Sequence, residues 1–542
     1  MSELFERLCK VRGFDADFLN PKYEALSDPY DLPDMDKAVA RIRQALEGQE
    51  RILIYGDYDV DGVTASTLME EALVLAGGNG ELIDIMLPNR FRDGYGMSSR
   101  LVDFAKTKEV QLVITVDCGS LNVEIVDQLN KLGIDTVITD HHEASEVLPD
   151  AVAVINPHRK DLPIKHLQNL AGVGVAFKLA EALVKEGLIR GGQEKWLLDL
   201  VVLGTICDSM RLVGENRKLG YYGLKVLSKT RRPGLRELMR RAGVKKLNSE
   251  SIGFQIGPRL NAAGRLESAD ISLNLLRSKS LPESAAIAEK LEQLNKKRKD
   301  EQLSAMREIR TRGVGGGPVI VEAGKWHEGV LGIIAGHLVE EYRRPAFALT
   351  EVGEGMLKGS GRSFGDFSLA QALEQVKDII VGGGGHAGAA GVSLEKDKLQ
   401  DFCDAINNYY DGLHLAGQEK YFKKQADLNV FDFRDLNLDF LDELRRLEPF
   451  GTGNEEPIFR LKEVEISGVT RMGAEQNHLR LDLCDKNGRF LKCLAFYAPK
   501  NWLNLDPEHD RVEPLVKLIE NEFNGVRSLE ARLIDLGLVD II

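Results

Sequence analysis

Between residues 51 and 155 short apolar runs alternate with amphipathic stretches: ILIY (52–55), LIDIML (82–87), LVITV (112–116), TVIT (136–139) and VAVI (152–155). Each run is too short for a helix and rich in β-branched residues, so each predicts a strand. The intervening segments, SLNVEIVDQLNKLG among them, carry apolar residues at helical spacing, and Gly133 predicts a helix C-cap. Strand and helix in alternation predict βαβ units and a parallel sheet, whose functional residues collect beyond the carboxyl ends of the strands. From Pro282 to Arg312 the pattern is charged and helical, with Ile287, Leu291 and Leu294 on one stripe, which predicts a long connecting helix. GVGGG (313–317) breaks the composition, and PVIVEAGKWHEGVLGIIAGHLVEEYRRPAFAL then opens with a strand and continues into a helix. Beyond about 425 the pattern turns to alternation: Leu479, Leu481 and Leu483, then Asn487-Gly488, then LKCLAF, a hairpin signal. The expected fold is an α/β multidomain chain. It has an N-terminal extension (1–50), a parallel-sheet domain (51–281), a connecting helix (282–313), a second α/β domain (314–424) and a β-rich, barrel-like module (425–542).

Composition agrees with several domains, since 542 residues and 60.1 kDa exceed what one hydrophobic core organises. With 43% hydrophobic and 29% charged residues, wholesale disorder and fibrous repeats are excluded. No apolar run reaches the roughly 18 residues that span a bilayer, and MSELFERLCKVRGFDADF lacks the apolar core of a signal peptide. A cytoplasmic protein with no membrane partner is expected. Six scattered cysteines without a CxxC pair read as reduced thiols. A net charge of −13 excludes coating of nucleic acid by bulk positive charge, so any such contact must be local. Lys229 to Lys246, with eight bases against Glu237, and the run Lys296, Lys297, Arg298, Lys299 allow it; a solvated helix face explains each equally well.

The strand at 52–55 runs into GDYDVDGVTAS, which sets Asp57, Asp59 and Asp61 at alternate positions. Three carboxylates so close repel one another unless cations neutralise them, although an acidic Asx turn is the ordinary use of such a segment. Asp117-Cys118-Gly119 follows LVITV, and Asp140-His141-His142 follows TVIT. Taken singly, these would be a helix cap and structural histidines. Gathered at three strand ends of one sheet, they form an oxygen and imidazole set suited to Mn²⁺ or Mg²⁺ and not to structural zinc. Asp208, after LLDLVVLGTIC, is a fourth contributor.

GDYDVDG, VDCG, TDHH and GTICDSM resemble, in order, the four motifs of the DHH phosphoesterase family, and GGGGHAGAAG (382–391) resembles the glycine-rich signature of the accompanying DHHA1 domain. PNRFRDGYG (88–96), GPRLNAAGR (257–265), WHEGVLGIIAGHL (326–338), SGRS (360–363) and EPFGTGNEEP (448–457) are similar to the branch of that family that degrades single-stranded DNA. The likeness runs from about 51 to 460. One departure is Tyr55, where many members carry a histidine; Asp57 can stand in as a ligand.

The resemblance implies that Asp59 and Asp117 hold one Mn²⁺ or Mg²⁺ ion and that Asp61, Asp117, His141 and Asp208 hold a second, with Asp117 bridging. His142 would contact phosphate or support a ligand, and Asp140 would orient the imidazoles. Such an ion pair neutralises a phosphodiester and stabilises the leaving 3′-oxygen. Among the motif arginines, which also include Arg259, Arg90, Arg265 and Arg362 are the candidates for holding neighbouring phosphates. Ser360 and His386 complete the substrate set in a cleft between the two α/β domains. The implied activity is a monomeric, metal-dependent 5′→3′ exonuclease that hydrolyses single-stranded DNA to 5′-mononucleotides in repair and recombination. Single-strand-binding protein and a RecQ-type helicase are the implied partners. A cyclic-dinucleotide phosphodiesterase or short-oligonucleotide nuclease of the same family is one alternative, opposed by the chain's length. A non-catalytic replication scaffold is another, opposed by the intact acids at 59, 61, 117 and 208. In the terminal module, read as an OB-type barrel, Arg471, Arg480, Lys492, Phe496, Tyr497 and Trp502 are candidates for gripping a strand; the aromatics serve equally as its core.

Overall fold

A computed structural model describes residues 1–94, 96–415, 421, 424–499, 501–507 and 509–537; Tyr95 of the 88–96 motif lies outside them. The first five strands, β1 (Ile52–Gly56), β2 (Ile83–Met86), β3 (Leu112–Val116), β4 (Asp135–Thr139) and β5 (Ala153–Ile155), fall on the five apolar runs. All pair in parallel, in the order β2-β1-β3-β4-β5. The runs are continuous because both faces are covered. Helices Met35–Glu47, Val60–Leu75 and Gly172–Lys185 pack on one face, and Ser99–Thr107 and Val123–Lys131 on the other. Strand order reverses beside β1, which opens a crevice at the carboxyl ends of β1 and β3.

A helical region follows. Helix Leu198–Cys207 is apolar on all sides but for Asp199 and Thr205 because it is enclosed all round, with Leu198 to Thr205 buried. A π-helical turn, Ile252–Ile256, feeds helix Gly257–Leu266. The connecting helix Leu281–Arg312 has 32 residues and buries Leu291, Leu294, Ala305, Met306 and Ile309.

The second domain's sheet has β6 (Ile320–Gly324), β7 (Ala346–Glu351), β8 (Met356–Arg362), β9 (Gly382–Gly385) and β10 (Ala389–Glu395), in the order β6-β7-β8-β10-β9. The glycine run, which reads as a loop in the sequence, is the exposed edge strand β9. The third domain is a seven-stranded sheet of β11 (Leu428–Val430), β12 (Phe459–Leu461), β13 (Val464–Met472), β14 (His478–Asp485), β15 (Phe490–Ala495), β16 (Leu515–Phe523) and β17 (Val526–Asp535). Asn487-Gly488 joins β14 to β15, with Gly488 at φ +73°, and Leu479, Leu481 and Leu483 are buried.

Residues before 51 serve two cores. Helix Glu3–Arg12 gives Leu4, Phe5, Leu8 and Cys9 to the core of the third domain, and Arg12 pairs with Asp427 at 2.6 Å. Helix Met35–Glu47 gives Met35, Ala38 and Ile42 to the first. Arg217, on helix Gly214–Leu227, ties these bodies together. Its guanidinium is 2% exposed and donates to the carbonyls of Phe18 (3.0 Å), Arg446 (3.1 Å), Leu447 (2.9 Å) and Glu448 (3.1 Å). The EPFGTGN segment also meets the loop after Asp208, where the Leu212 N–H donates to Thr452 O at 2.8 Å. Among the described residues no helix is long and apolar enough to cross a membrane.

Candidate metal and phosphate site

Asp57 follows β1 and is buried. Asp59 caps helix Val60–Leu75, its Oδ1 accepting the N–H of Asp61 (2.8 Å) and Gly62 (3.1 Å). Asp61 accepts the amides of Gly172 (2.7 Å) and Val173 (2.9 Å), so the positive end of helix Gly172–Lys185 faces an anion. Asp117 follows β3 in the left-handed region, at φ +61°, pinned by its N–H to Thr139 O at 2.9 Å. Asp208 sits at the C-cap of helix Leu198–Cys207. His141 Nε2 lies 3.0 Å from Asp117 Oδ1, 3.7 Å from Asp208 Oδ2 and 3.8 Å from Asp61 Oδ2. Ligand atoms of Asp57, Asp59 and Asp117 lie within 4.8 Å of one another, as do those of Asp61, His141 and Asp208, and those of Asp117, His141 and His142. Two glycines permit this crowding. A Cβ at Gly172 would stand 2.5 Å from Asp117 Cβ, and one at Gly204 would stand 2.5 Å from Asp61 Oδ1.

Burial and mutual repulsion raise these acids. Burial and the charge of Asp59 push Asp57 and Asp61 up to about 7. Burial with the charges of Asp61 and Asp59 pushes Asp208 to about 8 and Asp117 well above its ordinary value. Burial and the neighbouring His142 lower His141 to about 3, which leaves a neutral imidazole. Asp57 Oδ1 and Asp117 Oδ1 are buried and receive no hydrogen bond among the described residues. Orphaned buried acceptors are costly, and carboxylate oxygens converging with a neutral imidazole nitrogen are a donor set for Mn²⁺ or Mg²⁺. The residues therefore fit divalent ions. The Cys118 thiol, pushed well up by burial, is no competitor.

Asp140 is used differently. It accepts the N–H of Ser120 (2.9 Å), His141 (2.7 Å) and His142 (3.1 Å), and the Nδ1–H of His142 (2.8 Å). Burial alone would lower His142, but the hydrogen bond and charge of Asp140 outweigh it and hold the imidazole raised to about 9. A cationic His142 thus stands beside the acids.

Positive groups face the cluster. Arg90 lies over the Tyr58 ring at 4.4 Å. Arg362 donates to Ser360 Oγ (3.2 Å) and Gly361 O (2.8 Å). Burial, then the charges of Arg90, Arg298 and Arg362, lower Arg265 to about 9. Burial and Arg90 likewise lower Arg362. The structure thus groups Arg90, Arg265 and Arg362, with Ser360 beside Arg362. Arg259 is instead committed to Glu292 of the connecting helix, at 2.6 and 3.1 Å. His386 stands exposed on the edge hairpin of the second domain, where its Nδ1 accepts the N–H of Gly388. In the Lys229 to Lys246 stretch, Arg232 is buried against Asp199 and Glu71, and Arg240 and Arg241 bind Glu237, so much of that charge is structural. In the third domain Arg471 holds Leu503 O and Asn504, Arg480 holds Asp482 and Lys492 holds Glu530. Phe496 and Tyr497 are exposed, and Trp502 packs against the module's core.

Sequence reasoning missed the amides of Gly172 and Val173, whose only signal is the small-residue run AGVG at a helix start, and it missed Arg298 as a buried residue.

Comparison with known proteins adds three domain matches: the DHH family, N-terminal domain, over 51–205; the DHHA1 domain over 316–411; and the RecJ OB domain over 429–535. The single-stranded-DNA-specific exonuclease RecJ of Bacillus subtilis (strain 168) is 35% identical over 551 residues, covering 99% of this chain and 68% of the relative. The crystal structure of RecJ in complex with Mn²⁺ from Thermus thermophilus superposes with a TM-score of 0.84 at 28% identity, covering 99% of this chain and 76% of that one. The Mg²⁺ complex from the same organism gives 0.76 at 26% identity, covering 99% and 75%.

Proposed function

The chain belongs to the RecJ family of single-stranded-DNA-specific exonucleases and is a metal-dependent nuclease of single-stranded DNA, and from that premise we propose how its residues divide the work. The observation that carries the proposal is the set of buried acids with orphaned oxygens at the ends of β1 and β3, opposite guanidinium groups that have no carboxylate partner among the described residues.

Asp57, Asp59 and Asp117 would hold one divalent ion, and Asp61, His141 and Asp208, with Asp117 beside them, would hold the other. Ions bound there would supply Lewis acidity for phosphodiester hydrolysis. Asp140 orients the imidazoles through its hydrogen bonds, and His142, with Nδ1 bonded to Asp140, contacts phosphate or supports a ligand. Arg90, Arg265, Arg362 and Ser360 bind neighbouring phosphates, with His386 reaching the strand from the second domain. Among the described residues these guanidinium groups have no carboxylate partner, a place the phosphates of the substrate would fill.

The strand is degraded from its 5′ end, with release of 5′-mononucleotides, by a monomer in the cytoplasm working beside single-strand-binding protein and a RecQ-type helicase. The working divisions are 51–281 for the catalytic core, 282–313 for the connecting helix, 314–424 for the second domain and 425–542 for the OB-like module. The test is to incubate the protein and Mn²⁺ with 5′- and 3′-labelled single strands, duplex DNA and cyclic dinucleotides. Early release of the 5′ label as a mononucleotide is expected. Early release of the 3′ label refutes the polarity, and preference for the cyclic substrate refutes the proposed substrate.

A further inference from the structure

A cavity of about 880 Å³ opens beside Asp208, bounded by Cys207 and Ser209 of the core, Arg298 of the connecting helix, Ile333 of the second domain and Phe450 of the third. Phe254, 76% exposed on the π-helical turn, stands in the same space. Most lining cations are neutralised: Lys246 by Glu448, Arg445 by Asp442 and Glu520, and Lys517 and Arg532 by Glu456. Two are not. Among the described residues Arg265 and Arg298 are the lining cations without a carboxylate partner.

Arg298 is the more unusual. It belongs to the KKRK run, yet while Lys296, Lys297 and Lys299 are exposed it is only 9% exposed. Its Nε and Nη2 donate to Asn295 Oδ1 at 3.2 and 3.0 Å, one helical turn back, and Asn295 is 1% exposed. A weak contact of 3.5 Å to Gln302 is its other hydrogen bond among the described residues. Burial, then the charge of Arg259, lower its pKa. A guanidinium held in one orientation by neutral amides, desolvated and lining a cavity, lacks among the described residues the anion that normally offsets its burial.

We propose that Arg298 is a strand-binding residue: it holds a backbone phosphate of the single strand within this cavity, with Asn295 as its positioning residue. The connecting helix is then part of the substrate site as well as a tether. This rests on the exonuclease reading and names a contact within that site. An unpaired strand suits the cavity because Phe254 offers an exposed ring on which a base can stack.

The test measures binding without cleavage. Fluorescence anisotropy in EDTA follows full-length protein with an oligothymidylate of about twelve nucleotides and with the dinucleotide, across a salt series. Arg298→Gln, which keeps a hydrogen-bonding partner for Asn295 while removing the charge, should bind the long oligonucleotide about tenfold more weakly. Its log Kd against log salt should lose about 0.7 of slope, the share of one single-strand phosphate. Dinucleotide affinity should be unchanged, and Arg298→Lys should restore the slope but only part of the affinity. Asn295→Ala should weaken binding with the slope intact. A folded Arg298→Gln protein, checked by its melting curve, with wild-type affinity and slope overturns the proposal. If that variant does not fold, Arg298→Lys and Asn295→Ala decide: both binding as tightly as wild type overturns it equally. Failure of the wild-type protein to bind the long oligonucleotide overturns the exonuclease reading itself, which separates the two.

Discussion

Gly172→Ala adds one methyl group and should nearly silence the enzyme. The new Cβ would stand 2.5 Å from Asp117 Cβ and 2.7 Å from Asp117 Cα, whereas carbon atoms in contact prefer roughly 3.5–4.0 Å. One side must move by about 1 Å. Asp117 cannot turn aside, because the nearest atoms include its own backbone, held at φ +61° by the bond to Thr139 O. Helix Gly172–Lys185 must therefore retreat, taking the two amides that hold Asp61 with it. Misplacement of reacting groups by that distance costs about 10²-fold in rate, or about 2.7 kcal/mol of barrier, and such overpacking costs about 1–3 kcal/mol of stability. Steady-state turnover of single-stranded DNA at saturating Mn²⁺ should show a kcat about a hundredfold down, with KM little changed because the phosphate-binding arginines sit on other elements. Calorimetric titration should show weaker Mn²⁺ binding. Gly174→Ala is the control: its Cβ meets the end of the Leu170 side chain at 3.1 Å, which can rotate away, so activity should persist. A folded Gly172→Ala enzyme with wild-type Mn²⁺ affinity and kcat would show that the close approach of this helix does not set the site.

Asp117→Asn should lower turnover by roughly 10³-fold while leaving a folded chain, since that carboxylate belongs to two of the three ligand groups; near-normal rates would remove it from the site. Without metal, stability should fall as pH rises from about 4 to about 8. Asp57, Asp61 and Asp208 retain protons up to about 7, 7 and 8 in the folded state, which the unfolded chain has already released near pH 4. Melting curves with Mn²⁺ and with EDTA should therefore diverge more at high pH than at low pH, and a constant gap counts against the raised acids. Arg362→Ala should weaken binding of single-stranded DNA while leaving Mn²⁺ affinity unchanged, and a metal-depleted variant with intact DNA affinity would place that residue elsewhere. Arg217→Met leaves four carbonyls without their donor and should destabilise the protein by about 3 kcal/mol or more, read from denaturant titration.

Period and punctuation made much of the architecture legible. The five strands of the first sheet could be read because a strand covered on both faces must be apolar throughout, and the β14–β15 hairpin because Asn-Gly sits between alternating runs. Asp57, Asp117 and Asp140 were legible because each stands immediately after such a strand, whereas Asp208 closes a helix that reads only as an apolar run. Other features depend on tertiary context that a local pattern does not carry. The strand of four glycines has no side chains to pattern and pairs through backbone alone. Arg298 shares its charge run with three exposed lysines and differs from them only in what the helix packs against. The amide cradle of Asp61 joins residues 111 positions apart, a distance at which spacing says nothing. The two helices before residue 51 look alike as amphipathic segments, and only the three-dimensional arrangement sends them to different cores.

That division has a consequence for how the chain is made. Helix Glu3–Arg12 is synthesised well before the segments it packs on: the Ser2 amide bonds to Glu443, 441 residues later, and the apolar face of Leu4, Phe5 and Leu8 packs with residues from Leu428 onward. At roughly 5–20 residues per second, synthesis leaves that face without its partners for roughly 20 to 90 seconds. Meanwhile the first sheet, whose strands all lie between residues 52 and 155, can already be complete. The third domain can capture helix Glu3–Arg12 only after it has itself been made, and that contact closes a loop of 441 residues. A nascent protein at that stage exposes an apolar helix for longer than it takes the catalytic core to form, so the interval before closure is its period of greatest exposure to aggregation and to chaperones.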